Sequence, residues 1–355
     1  DLDTMATYSI PEKQKKSWLQ NFLQSDLGKR VIVGGSLVIL VALVLYLGGQ
    51  KNFKAPQYLQ LILDGLRGGT IYALIALGFV TVFNVTGIVN FAQGAFVMLG
   101  AMLAVTIFDS VLPLPDGPRL VVACLGAILI TTFIGVVVER LTIYPARDAS
   151  PLTLIIITVG VYIAIQGVAL LFWGTDAYSL PAFTTLALQD KTIRLGSVII
   201  KAQSFWIWGT TAVVLAGLAY FFEKTMWGKG LRACAVNKQA ARLMGISPSR
   251  MSMLAFGLAA ALGAVAGVVV APVTRPTYDM GLSLGLKGFV AAIMGGMVNP
   301  PAAVVGGLLL GVIENVGAGV TKAGLKDIFA FIILIVIRLF RPHGILSTRQ
   351  STDKM

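Results

Sequence analysis

The sequence predicts an all-α polytopic membrane protein, with about eight transmembrane helices plus a broken re-entrant helical hairpin. Three observations predict it. The chain is 56% hydrophobic and only 12% charged, with a mean hydropathy of +0.83, whereas soluble domains carry about 25% charged residues. Segments 68–108, 149–175, 202–222, 251–274 and 288–313 contain no Asp, Glu, Lys or Arg. A helix crosses the hydrocarbon core with about 20 residues, so the first of these runs holds two spans. The runs are also continuous rather than alternating, which excludes a β-barrel and leaves helices, the one other spanning structure that satisfies its backbone in lipid.

The elements follow in order. Residues 1–30 are a polar tail, expected in the cytoplasm, and 31–56 are an anchor-like span at 31–49 with its linker. The polar part is long and shows no small-residue cleavage site, so a signal peptide is not expected. Further spans are read at 58–83, 87–108, 120–138, 152–173, 203–222, 252–271 and 327–340. The apolar stretch 288–318 is interrupted by Asn299-Pro300-Pro301. Proline removes a helical hydrogen bond and clashes with the preceding turn, so two half-helices are expected there instead of one straight span.

Charge orients this layout. Segments 1–30, 139–148, 223–250 and 338–355 hold 17 Lys/Arg against 8 acids, and the rest of the chain holds 11 against 8. The positive-inside rule then puts both termini and the 223–250 loop in the cytoplasm. The net charge of +12 reports topology, and with no soluble basic domain it is not read as nucleic-acid binding.

Small residues serve helix packing. Among 39 glycines are Gly263-x3-Gly267 and Gly307-x3-Gly311, the spacing by which helices approach closely in lipid. Gly87-Ile-Val-Asn90 is echoed by Gly296-Met-Val-Asn299, each at a break in an apolar stretch. Paired interrupted helices of this kind suggest a possible inverted repeat around a transport pathway.

Several chemistries are excluded. The sequence has no phosphate loop of the G-x4-G-K-[ST] type, no paired carboxylates in its apolar part and one histidine, His343, in a Pro-Gly turn. A catalytic role would need a nucleophile or an acid–base pair, so the chain is not read as an enzyme. Its two cysteines, Cys124 and Cys234, are not expected to form a disulfide, and there is no metal-ligand cluster.

Two groups of residues carry the functional reading. The first is the loop 223–250, a basic island between two spans. Asn237 is a good helix cap, 238–244 can form two turns, Gly245 is a left-handed stop, and Ser247-Pro248 restarts a helix. Arg232, Lys238, Gln239, Ala240, Ala241, Arg242 and Gly245 are the candidate docking residues. The second group is the neutral or acidic polar side chains inside apolar segments, Asn84, Asn90, Gln93, Gln166, Asn299 and Glu314. Such groups avoid lipid and face protein or water. Asn90 and Gln93 are expected to share a helix face, and Glu314 to meet a cationic group.

These segments resemble a known family. Leu66-x3-Thr70-Ile-Tyr-Ala-Leu-Ile-Ala-Leu-Gly78 and Gly87-Ile-Val-Asn-Phe-Ala-Gln-Gly94 are similar to permeases of the branched-chain (hydrophobic) amino acid ABC importers, of the LivH type. Arg232-Ala-Cys-Ala-x5-Ala241-x-Leu-x-Gly245-Ile resembles the family's coupling loop, with Gln239 in place of the usual acid. Lys287-Gly-Phe-x-Ala-Ala-Ile-x-Gly295, Gly306-Gly-x3-Gly311-x2-Glu314 and Arg341-Pro-His-Gly-Ile-Leu346 continue the likeness, which covers about 57–348. Gln93 and Ala95 depart from it, standing where members often have His and Glu.

The resemblance implies a permease domain at 57–348 and a short tail at 349–355. It implies a LivM-like second permease or a second copy of this chain, two cytoplasmic ATPases that bind the ATP and Mg, and a periplasmic substrate-binding protein. This chain itself would hold no cofactor. It would sit in the bacterial inner membrane, with Asn84, Asn90, Gln93, Asn299 and Glu314 along the substrate pathway. A urea- or amide-type importer is the nearest alternative, and an ion-coupled carrier or channel a more distant one.

Overall fold

The computed structural model describes residues 46, 48–110, 115–184, 193–195 and 197–340. The expected span at 31–49, the two tails and the turn holding His343 lie wholly or mostly outside these residues. From residue 48 onward the described chain is α1 (Ala55–Thr86), α2 (Gln93–Ser110), α3 (Asp116–Val138), α4 (Pro151–Trp173), α5 (Ala202–Lys224), α6 (Met226–Val236), α7 (Lys238–Leu243), α8 (Pro248–Thr274), α9 (Met280–Gly295), α10 (Pro300–Val320) and α11 (Lys326–Phe340). A π turn, Glu139–Ile143, extends α3, and a small antiparallel hairpin, β1 (Ile193–Leu195) with β2 (Val198–Ile200), precedes α5.

Among the described residues, seven helices are long and apolar enough to cross a membrane: α1, α2, α3 with its π turn, α4, α5, α8 and α10. The protein is a multi-pass membrane protein. The expected hairpin differs from its reading in one respect. The break falls at Gly296–Asn299 as anticipated, but α10 has 21 residues and is of full span length, not a half-helix. Pro300 and Pro301 occupy its first two positions, where the backbone N–H has no intrahelical partner and proline is tolerated. The prolines therefore start a long helix instead of splitting one. The last described helix, α11, is described over 15 residues, Lys326–Phe340.

Glycine decides which helices are central. A Cβ on Gly65 would stand 2.7 Å from Val312 Cα, and one on Gly69 would stand 2.7 Å from the Gly307 carbonyl oxygen. On the other side, a Cβ on Gly307 would lie 2.6 Å from the Ala73 nitrogen. At these glycines no side chain fits between α1 and α10, so the backbones touch there and gain dispersion contact. Gly263 and Gly267 set α8 against Phe96 and Val97 of α2 in the same way. The apolar window of α1 is 83% buried, while those of α3, α4 and α5 are 22%, 22% and 11% buried. The latter three form the perimeter and turn Leu129, Phe133, Ile163 and Val213 outward, toward lipid or another subunit.

The two echoing segments end α1 and α9 with the same device. Gly87 (φ 78°) and Gly296 (φ 98°) are left-handed helix stops, a conformation glycine adopts without a Cβ clash. Asn84 Nδ2 donates to the Val298 carbonyl oxygen at 2.9 Å, so the two segments meet at one end of the bundle. An inverted pair would set them at opposite ends. An antiparallel relation appears instead between α2 and α9, whose first turns cross at Gly94, Gly281 and Gly285.

Candidate coupling face and polar pathway

The basic loop folds into two helices. Thr225 Oγ1 accepts from the Gly228 N–H at 3.0 Å and starts α6, a helix that was not anticipated. Asn237 Oδ1 accepts from the N–H groups of Gln239 (2.9 Å) and Ala240 (3.0 Å) and starts α7. Gly245, at φ 79°, ends it, and Ile246 N donates back to the Ala241 carbonyl oxygen. Ser247 stands at the cap position of α8, but its side chain makes no capping bond there.

The docking candidates divide by direction. Arg232, Gln239, Ala240, Arg242 and Gly245 are exposed. Ala241 is not a contact for a partner. It is 4% exposed and packs inward with Val85, Leu231, Cys234, Met251 and Ala255. A small residue there lets α7 lie close to the end of α1. Lys238 is exposed as a residue, but its Nζ reaches back and donates to the Thr86 carbonyl oxygen at 2.6 Å, at the last residue of α1. Burial lowers the Lys238 pKa and raises that of neighbouring Cys234, whose thiol is 2% exposed as a residue. Three apolar side chains that charge patterning overlooked project outward here: Val236 at 77%, Leu243 at 88% and Met244 at 82% exposure. The available signal was an apolar pair, Leu243-Met244, just before the helix stop in an otherwise polar loop.

The polar pathway candidates also separate. Glu314 is fully buried and binds Lys287 Nζ at 2.7 Å, with Lys326 at 3.7 Å. Lys287 in turn reaches Asp327 at 2.7 Å, and its Nζ lies 5.7 Å from the centroid of the Tyr72 ring. This network ties α1, α9, α10 and α11 together. The sequence called for a cation beside Glu314, and the structure places Lys287 there. Asn84 bridges the two breaks as described. Asn299 precedes α10, half-buried, and its backbone carbonyl accepts from Ala303 N. Gln166 is half-buried on the perimeter helix α4.

Asn90 and Gln93 do not share a helix face. Asn90 lies in the break before α2 because its side chain closes a local turn, with Oδ1 accepting from Ala92 N at 3.1 Å. Such a bond competes with helix formation, and α2 starts only at Gln93. Gln93 Nε2 donates to the Ala259 carbonyl oxygen at 2.9 Å, between the bare glycines Gly78 and Gly263. Both side chains are 0% exposed, and Asn90 Nδ2 and Gln93 Oε1 have no hydrogen-bond partner. Each such orphan costs about 1–3 kcal/mol.

The family model described as "Branched-chain amino acid transport system / permease component" matches residues 61–338. The chain belongs to this family. It is 34% identical to the high-affinity branched-chain amino acid transport system permease protein BraD of Pseudomonas aeruginosa, over 84% of this chain and 98% of that one. It is 33% identical to LivH of Salmonella typhimurium and 32% identical to LivH of Escherichia coli K12, with the same shares covered. These relatives favour the branched-chain reading over the urea- or amide-type one. Among the described residues no group of His, Cys, Asp and Glu is arranged to hold a metal ion.

Proposed function

We propose that this chain is the permease subunit of an ATP-driven importer that moves hydrophobic, branched-chain amino acids from periplasm to cytoplasm across a bacterial inner membrane. The observation that carries this reading is the α6–α7 element. It is a folded, basic loop with outward apolar side chains, hydrogen-bonded to the end of the most buried helix. A loop that only satisfied a charge rule would need neither feature.

In this reading α6 and α7 lie in the cytoplasm, as do both termini. Two ATPase subunits dock on the coupling loops of the two paired permeases, here at Leu243, Met244 and the surrounding Arg232, Gln239 and Arg242, and they bind ATP and Mg. The partner permease is LivM-like or a second copy of this chain, and a periplasmic binding protein delivers the amino acid. ATPase closure moves α7, which transmits to α1 through Lys238, Thr86 and the packed Ala241. Asn90 and Gln93 line the path. Asn84 and Asn299 hold the breaks, and Glu314 holds the surrounding helices in register.

Reconstitution tests this. Proteoliposomes with the whole assembly and its binding protein are expected to take up labelled leucine only with ATP. The chain alone is expected to take up none. Appreciable ATP-independent uptake by the chain alone would replace the importer reading with a carrier or channel.

A further inference from the structure

We infer that the break between α1 and α2 is a recognition point for the whole amino acid, zwitterion and aliphatic side chain together. This inference rests on the importer reading above. Asn90 Nδ2 would donate to the substrate carboxylate, and Gln93 Oε1 would accept from its ammonium group.

Four observations lead here. The two orphan atoms are a donor and an acceptor, fully buried and three residues apart. In each amide the opposite atom is already committed, Asn90 Oδ1 to Ala92 N and Gln93 Nε2 to the Ala259 carbonyl. Those bonds fix both amides by orientation, leaving one free donor and one free acceptor. A carboxylate needs the first and an ammonium the second.

The second observation is the backbone around them. The first turns of α2 and α9 meet at Gly94, Gly281 and Gly285, with a Cβ on Gly285 only 2.9 Å from Gly94 Cα. Asp279 already stands at the cap of α9, whereas α2 starts three residues after Asn90 with no acidic residue in its first turn and carries partial positive charge inside an apolar bundle. Such an end favours an anionic group, which fits a carboxylate beside Asn90.

Third, an aromatic group adjoins the two amides along the chain. Phe91 follows Asn90, and Phe79 follows Gly78, whose bare face receives the Gln93 amide. Phe289 of α9 completes the group, with ring centroids 5.7 Å from Phe79 and 5.2 Å from Phe91. Phe91 and Phe289 are only half-buried, so the group reaches the surface of the chain and offers an apolar wall to a branched side chain.

Fourth, the break is positioned from both ends. Thr158 Oγ1 on α4 accepts from Phe91 N at 3.1 Å, and Thr86, one residue before Gly87, holds Lys238 of α7. Neutral amides suit a transient site, because they bind a zwitterion without the tight grip of buried ion pairs.

The experiment uses the assembled transporter in lipid nanodiscs without its binding protein, with tritiated leucine binding read by scintillation proximity. Leucinamide and 4-methylpentanoate, which lack the carboxylate and the ammonium respectively, serve as competitors. Asn90→Ser keeps an oxygen for Ala92 N and removes the amide donor. Leucine affinity is expected to fall about tenfold in this variant, the loss of one charge-assisted hydrogen bond, while leucinamide affinity stays as in the wild type.

Equal losses for leucine and leucinamide would assign Asn90 a structural role and overturn the inference, as would unchanged leucine affinity. Should Asn90→Ser fail to assemble, the wild type decides: both competitors are expected to be at least about tenfold weaker than leucine, and equal competition would overturn the site. Wild-type vesicles that take up no leucine with ATP and binding protein would fail the importer reading itself, a result separate from these.

Discussion

Lys238 Nζ donates a hydrogen bond to the Thr86 carbonyl oxygen at 2.6 Å, joining the short helix α7 to the last residue of α1. Thr86 is followed by Gly87, where the chain turns into the break that carries Asn90. In the importer reading, a displacement of α7 would reach the buried amides through this side chain, the packed Ala241 and four residues of backbone. Lys238→Met keeps much of the stem length and removes the donor. We expect ATPase subunits to co-purify normally with it and to hydrolyse ATP, while leucine uptake per ATP falls several-fold. An unchanged transport-to-hydrolysis ratio would show that Lys238 does not transmit.

The outward apolar residues are expected to act differently. Leu243→Asp and Met244→Asp place charges where an ATPase surface would bury apolar groups, and should reduce co-purifying ATPase about tenfold or more. Thermal stability of the permease itself should hold, since both positions are more than 80% exposed. Full ATPase recovery with both variants would move the docking surface elsewhere.

Gly245 is a second coupling test. Its φ of 79° is closed to proline, which is locked near −65°, and its N–H donates to the Arg242 carbonyl oxygen. Gly245→Pro should leave the spans folded, as judged by size-exclusion behaviour, and abolish ATP-driven uptake. Wild-type uptake would mean that the shape of α7 is irrelevant to coupling.

The ion-pair network predicts a double-mutant pattern. Glu314→Gln or Lys287→Met alone leaves a buried charge with part of its shell missing, and breaking a buried pair costs about 3–5 kcal/mol. The two together should be less damaging than their sum, read as melting temperature in detergent. Asp327→Asn should cost about 1 kcal/mol or less, because that side chain is 62% exposed. Strict additivity of the first pair would contradict the contact.

Cys234 offers a pH test. Alkylation requires the thiolate, and burial raises this thiol's pKa while the nearby Lys238 charge pulls it down. Burial is the larger influence, so the thiolate fraction is below that of an ordinary thiol at any given pH. Maleimide labelling at neutral pH should be much slower than for a free thiol and should keep rising above the usual range near about pH 8.5. Rapid neutral-pH labelling would show that α6 and α7 do not pack as described.

Much of this protein was legible in the linear chain. Uncharged runs of span length could only be helices in lipid, so the spans at 58–83, 120–138, 152–173, 203–222 and 252–271 needed no tertiary information. Asn237 and Gly245 announced α7, because capping and left-handed stops are local chemistry. Glu314, alone in an apolar stretch, required a cation nearby.

What the chain could not show was direction. Ala241 reads as an open surface in sequence but faces Val85, and Lys238, exposed as a residue, reads as a free charge but donates to the Thr86 carbonyl. Leu243 and Met244 read as ordinary apolar residues but point outward. Asn90 matched Gln93 by helical spacing, yet its own side-chain bond to Ala92 stops the helix from starting early enough. Spacing and composition determine which segments are helical. Which face each helix presents depends on contacts between residues far apart in the chain, and those were decided by backbones meeting at glycine.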